Sequence, residues 1–373
     1  MKKSRLAVAC FFFIGGICFA SWASRIPNIK QLLNLSDAAL GGVLFALPVG
    51  SMCSLPVSGW LVSSWGSKKS LLTGAILYPI VLFLIGQSNT VFELVGLLFS
   101  YGFIGNLMNI SVNTQAVGIE SLYKRSVMAS FHGVWSAAGF IGATIGTIMI
   151  NFGIDPHHHF ILVGMVMLLI VGVTQQHLLL IDTKTANQPI YSKPDSFLWK
   201  LGLISFSCMV CEGTMFDWSG VYFQKIVNAP QEYTTLGYVA FMSTMAGGRF
   251  LGDRLVMQWG IKKMLGLSGI FIAAGLLMAV FFPTMLLATL GFLLVGMGVS
   301  SVVPIVYSQA GKSTKMAPGV AIAAVSSIGF LGFLIGPPII GFIAQSFGLQ
   351  WSFSLIALLG LGTSLLARIS TFN

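Results

Sequence analysis

Leu61-Val62-Ser63-Ser64-Trp65-Gly66-Ser67-Lys68-Lys69 returns as Leu255-Val256-Met257-Gln258-Trp259-Gly260-Ile261-Lys262-Lys263, with six of nine positions identical at an offset of 194 residues. The same offset aligns Gly102 with Gly296 and Gln115-Ala116 with Gln309-Ala310. Apolar stretches resemble one another by chance, but a shared Trp-Gly-x-Lys-Lys does not arise that way. The chain therefore reads as one unit used twice.

The solvent of that unit follows from composition. Of 373 residues, 55% are hydrophobic and only 8% are charged. A soluble domain carries about 25% charged residues, because it must cover its surface with polar groups. Lipid is then the solvent for most of this surface, and apolar runs of about 20 residues read as spanning helices. The breaks predict twelve spans, over 5–24, 37–62, 70–87, 91–120, 127–152, 159–180, 197–225, 233–257, 263–282, 284–310, 318–346 and 350–369. The fold expected is all-α, with two pseudo-symmetric six-helix bundles over 1–180 and 197–373. A polar linker over 181–196 joins them. The basic Met1–Arg5 and apolar Leu6–Phe19 mimic a signal peptide, but the apolar character continues to residue 369, so a retained first helix is expected.

Lys and Arg set the orientation. Between successive spans, 17 of the 20 fall on one side and only Arg25, Lys30 and Lys225 on the other. Positively charged loops stay cytoplasmic, which predicts both termini inside, in a bacterial inner membrane. The net charge of +10 is then a topology signal, and nucleic acid is not expected as a partner. Cys208 and Cys211 form a CxxC within an apolar helix, a setting unlike that of a redox motif. No phosphate loop, nucleotide fingerprint or hydrolase triad stands out. Neither an enzyme nor a cofactor is expected, beyond a proton as coupling ion.

Charges within a span are costly and persist where they face a cavity or a partner. Glu212 falls near the middle of the seventh span, with Asp217 five residues further on. Glu212 is the first candidate for substrate contact and for a coupling proton, and Asp217 a second carboxylate, with Arg25 suggested as its partner. The fourth span lays Gly102, Asn106, Asn109, Asn113 and Glu120 along one stripe. Amides offer both donors and acceptors, which suits a polar, uncharged solute; interhelical hydrogen bonding is the alternative. An unperturbed imidazole titrates near neutrality, and His132 shares a face with Trp135, whose ring suits stacking on a sugar or base. Trp22 near the end of the first span is a further pathway candidate. Tyr307 and Gln309 are candidates by repeat symmetry. Glu120 lies beside Lys124 and Arg125, as for an ion pair. His157-His158-His159 is expected in a solvated loop, with no metal site.

The loop after the second span, with Gly59, Leu61, Gly66, Lys68 and Lys69, resembles the signature of the major facilitator superfamily, departing at Ser63, where that signature is acidic. Gly248-Arg249-Phe250-Leu251-Gly252-Asp253-Arg254 resembles its second-half counterpart. Ile26-Pro27-Asn28-Ile29-Lys30 and Ser130-Phe131-His132-Gly133 resemble the fucose permease-like branch and YbjJ-type bacterial inner-membrane transporters. So do Glu212-Gly213 with Asp217-Trp218-Ser219, and the stretch around Gly336-Pro337-Pro338. The resemblance implies a monomeric secondary transporter that moves a small polar, sugar-like solute by alternating access, with proton coupling. It also implies gating roles for Gly59, Lys68, Lys69, Asp253 and Arg254, while Arg25 at the outer end of the first span and Glu120 at the inner surface are gating candidates by their position. The fourth-span position that is acidic in many such relatives is Asn109 here, and an amide carries no titrating proton. An exporter, an uncoupled facilitator and, from another class, a non-transporting membrane receptor remain open alternatives.

Overall fold

A computed structural model describes residues 2–123, 128–180, 194–310, 312–313 and 318–370. They form thirteen α-helices: α1 (Lys2–Leu32), α2 (Asp37–Trp65), α3 (Ser67–Ile85), α4 (Val91–Tyr123), α5 (Met128–Asn151), α6 (Pro156–Thr174), α7 (Ser196–Lys225), α8 (Leu236–Trp259), α9 (Ile261–Phe281), α10 (Met285–Ser300), α11 (Val302–Ala310), α12 (Pro318–Phe347) and α13 (Leu349–Ile369). No strand occurs among the described residues. Ten spans are long and apolar enough to cross a membrane, with α10 and α11 counted as one. The remaining two, α7 and α8, have the length, at 30 and 24 residues. They fall short in apolarity because α7 carries Glu212 and Asp217, and α8 carries Arg249, Asp253 and Arg254. The tenth span breaks at Ser301. Pro304 has no N–H to offer the carbonyl of Ser300, so the helical ladder loses a bond at that turn.

The chain divides into two compact units, Met1–Lys184 and Thr185–Asn373. In the first, α1 packs on α5, α2 on α4, and α3 on α4 and α6; in the second, α7 packs on α12, α8 on α10, and α9 on α10 and α13. The internal repeat holds at the level of atoms. Gly66 turns α2 into α3 at φ 84°, ψ 154°, and Gly260 turns α8 into α9 at φ 78°, ψ 158°. Their N–H groups bond back to the equivalent carbonyls of Val62 and Val256. Only glycine adopts that backbone region without strain. Gly260→Ala is expected to cost about 1–3 kcal/mol and to lower the melting temperature of the purified protein. An unchanged melting curve would contradict that reading.

Several expected boundaries are corrected. The first helix runs eight residues past its expected end at 24, to Leu32, and takes Arg25, Pro27 and Lys30 into the helix. Arg25 and Lys30 are 2% and 5% exposed, so they are buried residues rather than loop charges. Lys30 can stay buried because its Nζ lies 2.8 Å from an Asp37 carboxylate oxygen at the start of α2. The three histidines lie in the first turn of α6, which starts at Pro156 rather than 159. Asp155 caps that turn by accepting the His158 N–H at 2.9 Å. That bond holds the Asp155 carboxyl below the usual carboxylate range. Of the expected linker, residues 181–193 lie outside the described residues, and Asp195 already caps α7 by accepting from the Leu198 N–H.

Candidate functional site

Two polar constellations form on helical faces, one in each unit. In the second unit, Glu212 is 6% exposed on α7, and Arg249 on α8 donates from Nη2 to its Oε1 at 3.2 Å. Cys208 lies one turn before Glu212 on α7, and Tyr307 on α11 is near enough to interact with it electrostatically. Arg249 also borders a cavity of about 120 Å³, whose wall includes Ser300, Ser301, Ser308, Gln309 and Lys312. Gln309 thus lies beside a polar cavity next to Arg249, although it was singled out only by symmetry. Asp217 is half-buried, and no ion pair involves it among the described residues. Its suggested partner is committed elsewhere. Arg25 donates from Nε to His159 Nδ1 at 3.1 Å and from Nη2 to the Ile154 carbonyl at 2.7 Å. The accepting Nδ1 places the His159 proton on Nε2.

In the first unit, Asn109 is exposed on α4 and Asn113 half-buried one turn on. The Asn113 amide nitrogen donates to the Asn109 backbone carbonyl at 2.8 Å and to its side-chain Oδ1 at 3.0 Å. That leaves the Asn109 amide N–H₂ and the Asn113 amide oxygen as a donor–acceptor doublet. The Asn106 amide nitrogen, further along the stripe, is buried and has no hydrogen-bond partner among the described residues. His132 is exposed on α5, its ring 5.3 Å from that of Phe12. Trp135 is half-buried against Phe19 at 6.1 Å.

Trp22 on α1 is 1% exposed, so its ring is buried rather than at a surface. The gating candidates are scattered. Gly59 is exposed, and a side chain there would meet nothing within 4 Å, so packing does not require glycine. Lys68 is half-exposed, Lys69 and Arg254 are exposed, and Glu120 is half-buried. The side chains of Ser63 and Asp253 lie outside the described residues, as do Lys124 and Arg125.

Two contacts are not legible in the sequence, where Gln115 stands as a repeat marker. Its amide donates to Ser67 Oγ at 2.7 Å and to the Leu179 carbonyl at 2.9 Å, and accepts from the Leu179 N–H. It thereby ties α4 to the start of α3 and the end of the α6 region. Arg249 stands in the sequence as a basic residue of the Gly248–Arg254 motif, and nothing there points to Glu212 as its partner.

The helix pairings recur in both units, and residues 7–318 match the Major Facilitator Superfamily. The chain belongs to that superfamily. An uncharacterized MFS-type transporter of Yersinia pestis is 32% identical over 360 residues, covering 96% of this chain and 94% of that protein. The membrane protein MosC of Rhizobium meliloti is 30% identical over 353 residues, covering 93% and 85%. Among solved structures, the nucleoside transporter NupG superposes with a TM-score of 0.76 at 14% identity, covering 99% of this chain and 98% of that one. A bacterial homologue of the lysosomal transporter Spinster gives 0.72 at 13% identity, covering 98% and 95%. At such identities the two structures show a common fold alone. As a major facilitator protein, the chain is a multi-pass membrane transporter rather than an enzyme.

Proposed function

We propose that this transporter moves a small polar solute by alternating access, coupled to a proton carried on Glu212. The observation behind the proposal is the Glu212–Arg249 pair at 3.2 Å within the second unit. A buried ion pair is often no more stable than apolar residues of the same volume. In a spanning helix, such charges are rare and mark ion or substrate pathways. A proton taken up on one side of the membrane neutralises the Glu212 carboxylate and releases the Arg249 guanidinium. Its departure to the other side restores the charge-assisted bond. The exposed Asn109–Asn113 doublet supports an uncharged solute rich in hydroxyl or amide groups, as in sugars or nucleosides. His132 and Trp135 offer a second hydrogen-bonding group and a stacking face. Asp217 and His132 are the further proton-bearing candidates. The basic loops support an inner-membrane location with both termini inside.

Glu212→Gln keeps the shape and removes the titrating group. In proteoliposomes it is expected to abolish solute uptake driven by a pH gradient and to leave solute counterflow intact. Undiminished proton-driven uptake would remove Glu212 from the mechanism. A thermal-shift screen against sugars and nucleosides supplies the test solute.

A further inference from the structure

At the α8–α9 junction, the second unit carries a groove of about 630 Å³. Its wall combines Trp259, Lys262, Lys263 and Arg368 with the apolar Leu267 and Ile270 and with Ser364. Three cations meet there, from the first turn of α9 and the last turn of α13. Lysines at a helix N-terminus face the positive end of the dipole and add to it. The cap residue Gly260 supplies no side-chain acceptor.

The groove has a structural origin. α9 and α13 meet at Gly269 and Gly360, where a methyl group on Gly269 would collide with the Gly360 carbonyl. From that crossing toward Lys262 and Arg368 the helices open, and Gly266 puts no side chain into the gap. The Ser364 hydroxyl lies 4.0 Å from where a Gly266 Cβ would stand. Ser364 is 6% exposed and borders the groove, and its hydroxyl makes no hydrogen bond among the described residues. Lys263 lies 5.6 Å from the Trp259 ring, an arrangement suited to the interfacial layer. Trp259 and Ile270 are themselves exposed, so the groove opens on the lateral surface of the unit.

The internal repeat supplies a comparison. The first unit keeps Lys68 and Lys69 but places Leu72 where the second has Gly266. The end of α6, which pairs with α3 as α13 pairs with α9, carries no Lys or Arg. The lysine pair is shared, whereas Gly266, the Ser364 hydroxyl and Arg368 belong to the second unit.

We propose that this groove binds the headgroup of an anionic phospholipid, with the phosphodiester held by Lys262, Lys263 and Arg368 and an acyl chain along Leu267 and Ile270. Basic pockets between spanning helices are suited to such lipids. The test uses the full-length protein in a neutral detergent, titrated with phosphatidylglycerol or phosphatidylcholine, with lipid retention read by native mass spectrometry and stability by melting temperature. Wild type is expected to retain phosphatidylglycerol in preference and to melt higher with it. Arg368→Gln and Lys262→Gln are each expected to lower retention about fivefold, the worth of one cation at an anionic lipid surface. Gly266→Leu, which copies the first unit, is expected to close the groove. The glutamine variants decide the matter if that one does not fold. Equal retention of both lipids, undiminished retention in the glutamine variants, or the same stabilisation by inorganic phosphate alone would each overturn the assignment.

Discussion

Replacing Arg249 with alanine is expected to destabilise the protein by about 3–5 kcal/mol, the penalty for leaving one member of a buried ion pair uncompensated. Glu212 is 6% exposed, and its ion-pair partner among the described residues is Arg249. Once the guanidinium is gone, the carboxylate must keep an unpaired charge away from water or take up a proton. Glu212→Gln alone leaves the opposite charge, but that side chain is less enclosed, at 17% exposure against 7% for the carboxylate side chain. The double variant Glu212→Gln with Arg249→Met removes both charges and is expected to recover most of the loss. A double-mutant cycle on melting or denaturant midpoints isolates the pairwise energy. Additive single effects would mean that the 3.2 Å contact carries no coupling, and the proton-switch mechanism would lose its structural basis. Transport separates two roles: a variant pair that folds well yet does not couple solute flux to protons shows the pair to be functional rather than architectural.

The spans and the duplication could be read from sequence because lipid imposes both length and apolarity on a crossing helix. The Trp-Gly turn is equally legible: Gly66 and Gly260 occupy a backbone region closed to other residues, so the residue type reports the geometry. Partners were not legible. Arg25 and Lys30 follow some twenty apolar residues and look like loop charges. What keeps them helical and buried is Asp37, His159 and the Ile154 carbonyl, the last two more than a hundred residues away. Arg249 stands near a span end in sequence but finds Glu212 across a helix pair, which no single-helix periodicity encodes. The start of α6 is a different case. Asp155-Pro156 carries a cap residue followed by a first-turn proline, a helix-start signal. That signal competes with the polarity of three adjacent histidines, which reads as a loop. The broken tenth span likewise has its signal in Pro304. The amide stripe of α4 was legible as a stripe. That Asn113 bonds Asn109 and leaves one donor and one acceptor exposed depends on rotamers.

Close helix packing yields the other large effect. Gly102 on α4 faces the Leu47 carbonyl of α2 so closely that a methyl group would overlap it, and Gly296 on α10 stands in the same relation to the Phe241 carbonyl of α8. Leu47 and Phe241 are themselves separated by the repeat offset, so both halves are built on one contact. Without a hydrophobic drive between helices in lipid, such small-residue approaches are where spanning helices gain their packing. Around it, Ser51 donates to the Gly102 carbonyl at 3.0 Å, and Thr244 donates to the Leu293 carbonyl at 2.7 Å. Gly102→Leu and Gly296→Leu must push two backbones apart and break those bonds. Each is expected to cost 3 kcal/mol or about that, the upper end for overpacking, with folded yield falling accordingly. Gly96, on the same helix as Gly102, has nothing within 4 Å of an added Cβ. Gly96→Ala is therefore expected to be neutral or to stabilise by up to about 1 kcal/mol through helix propensity. Size-exclusion profiles and melting curves of the three variants distinguish contact from composition. If Gly96→Ala were as damaging as Gly102→Leu, the loss would belong to glycine in general and not to the α2–α4 crossing. If Gly102→Leu were harmful and Gly296→Leu harmless, the two units would differ in how their second and fourth spans are held, despite their shared sequence.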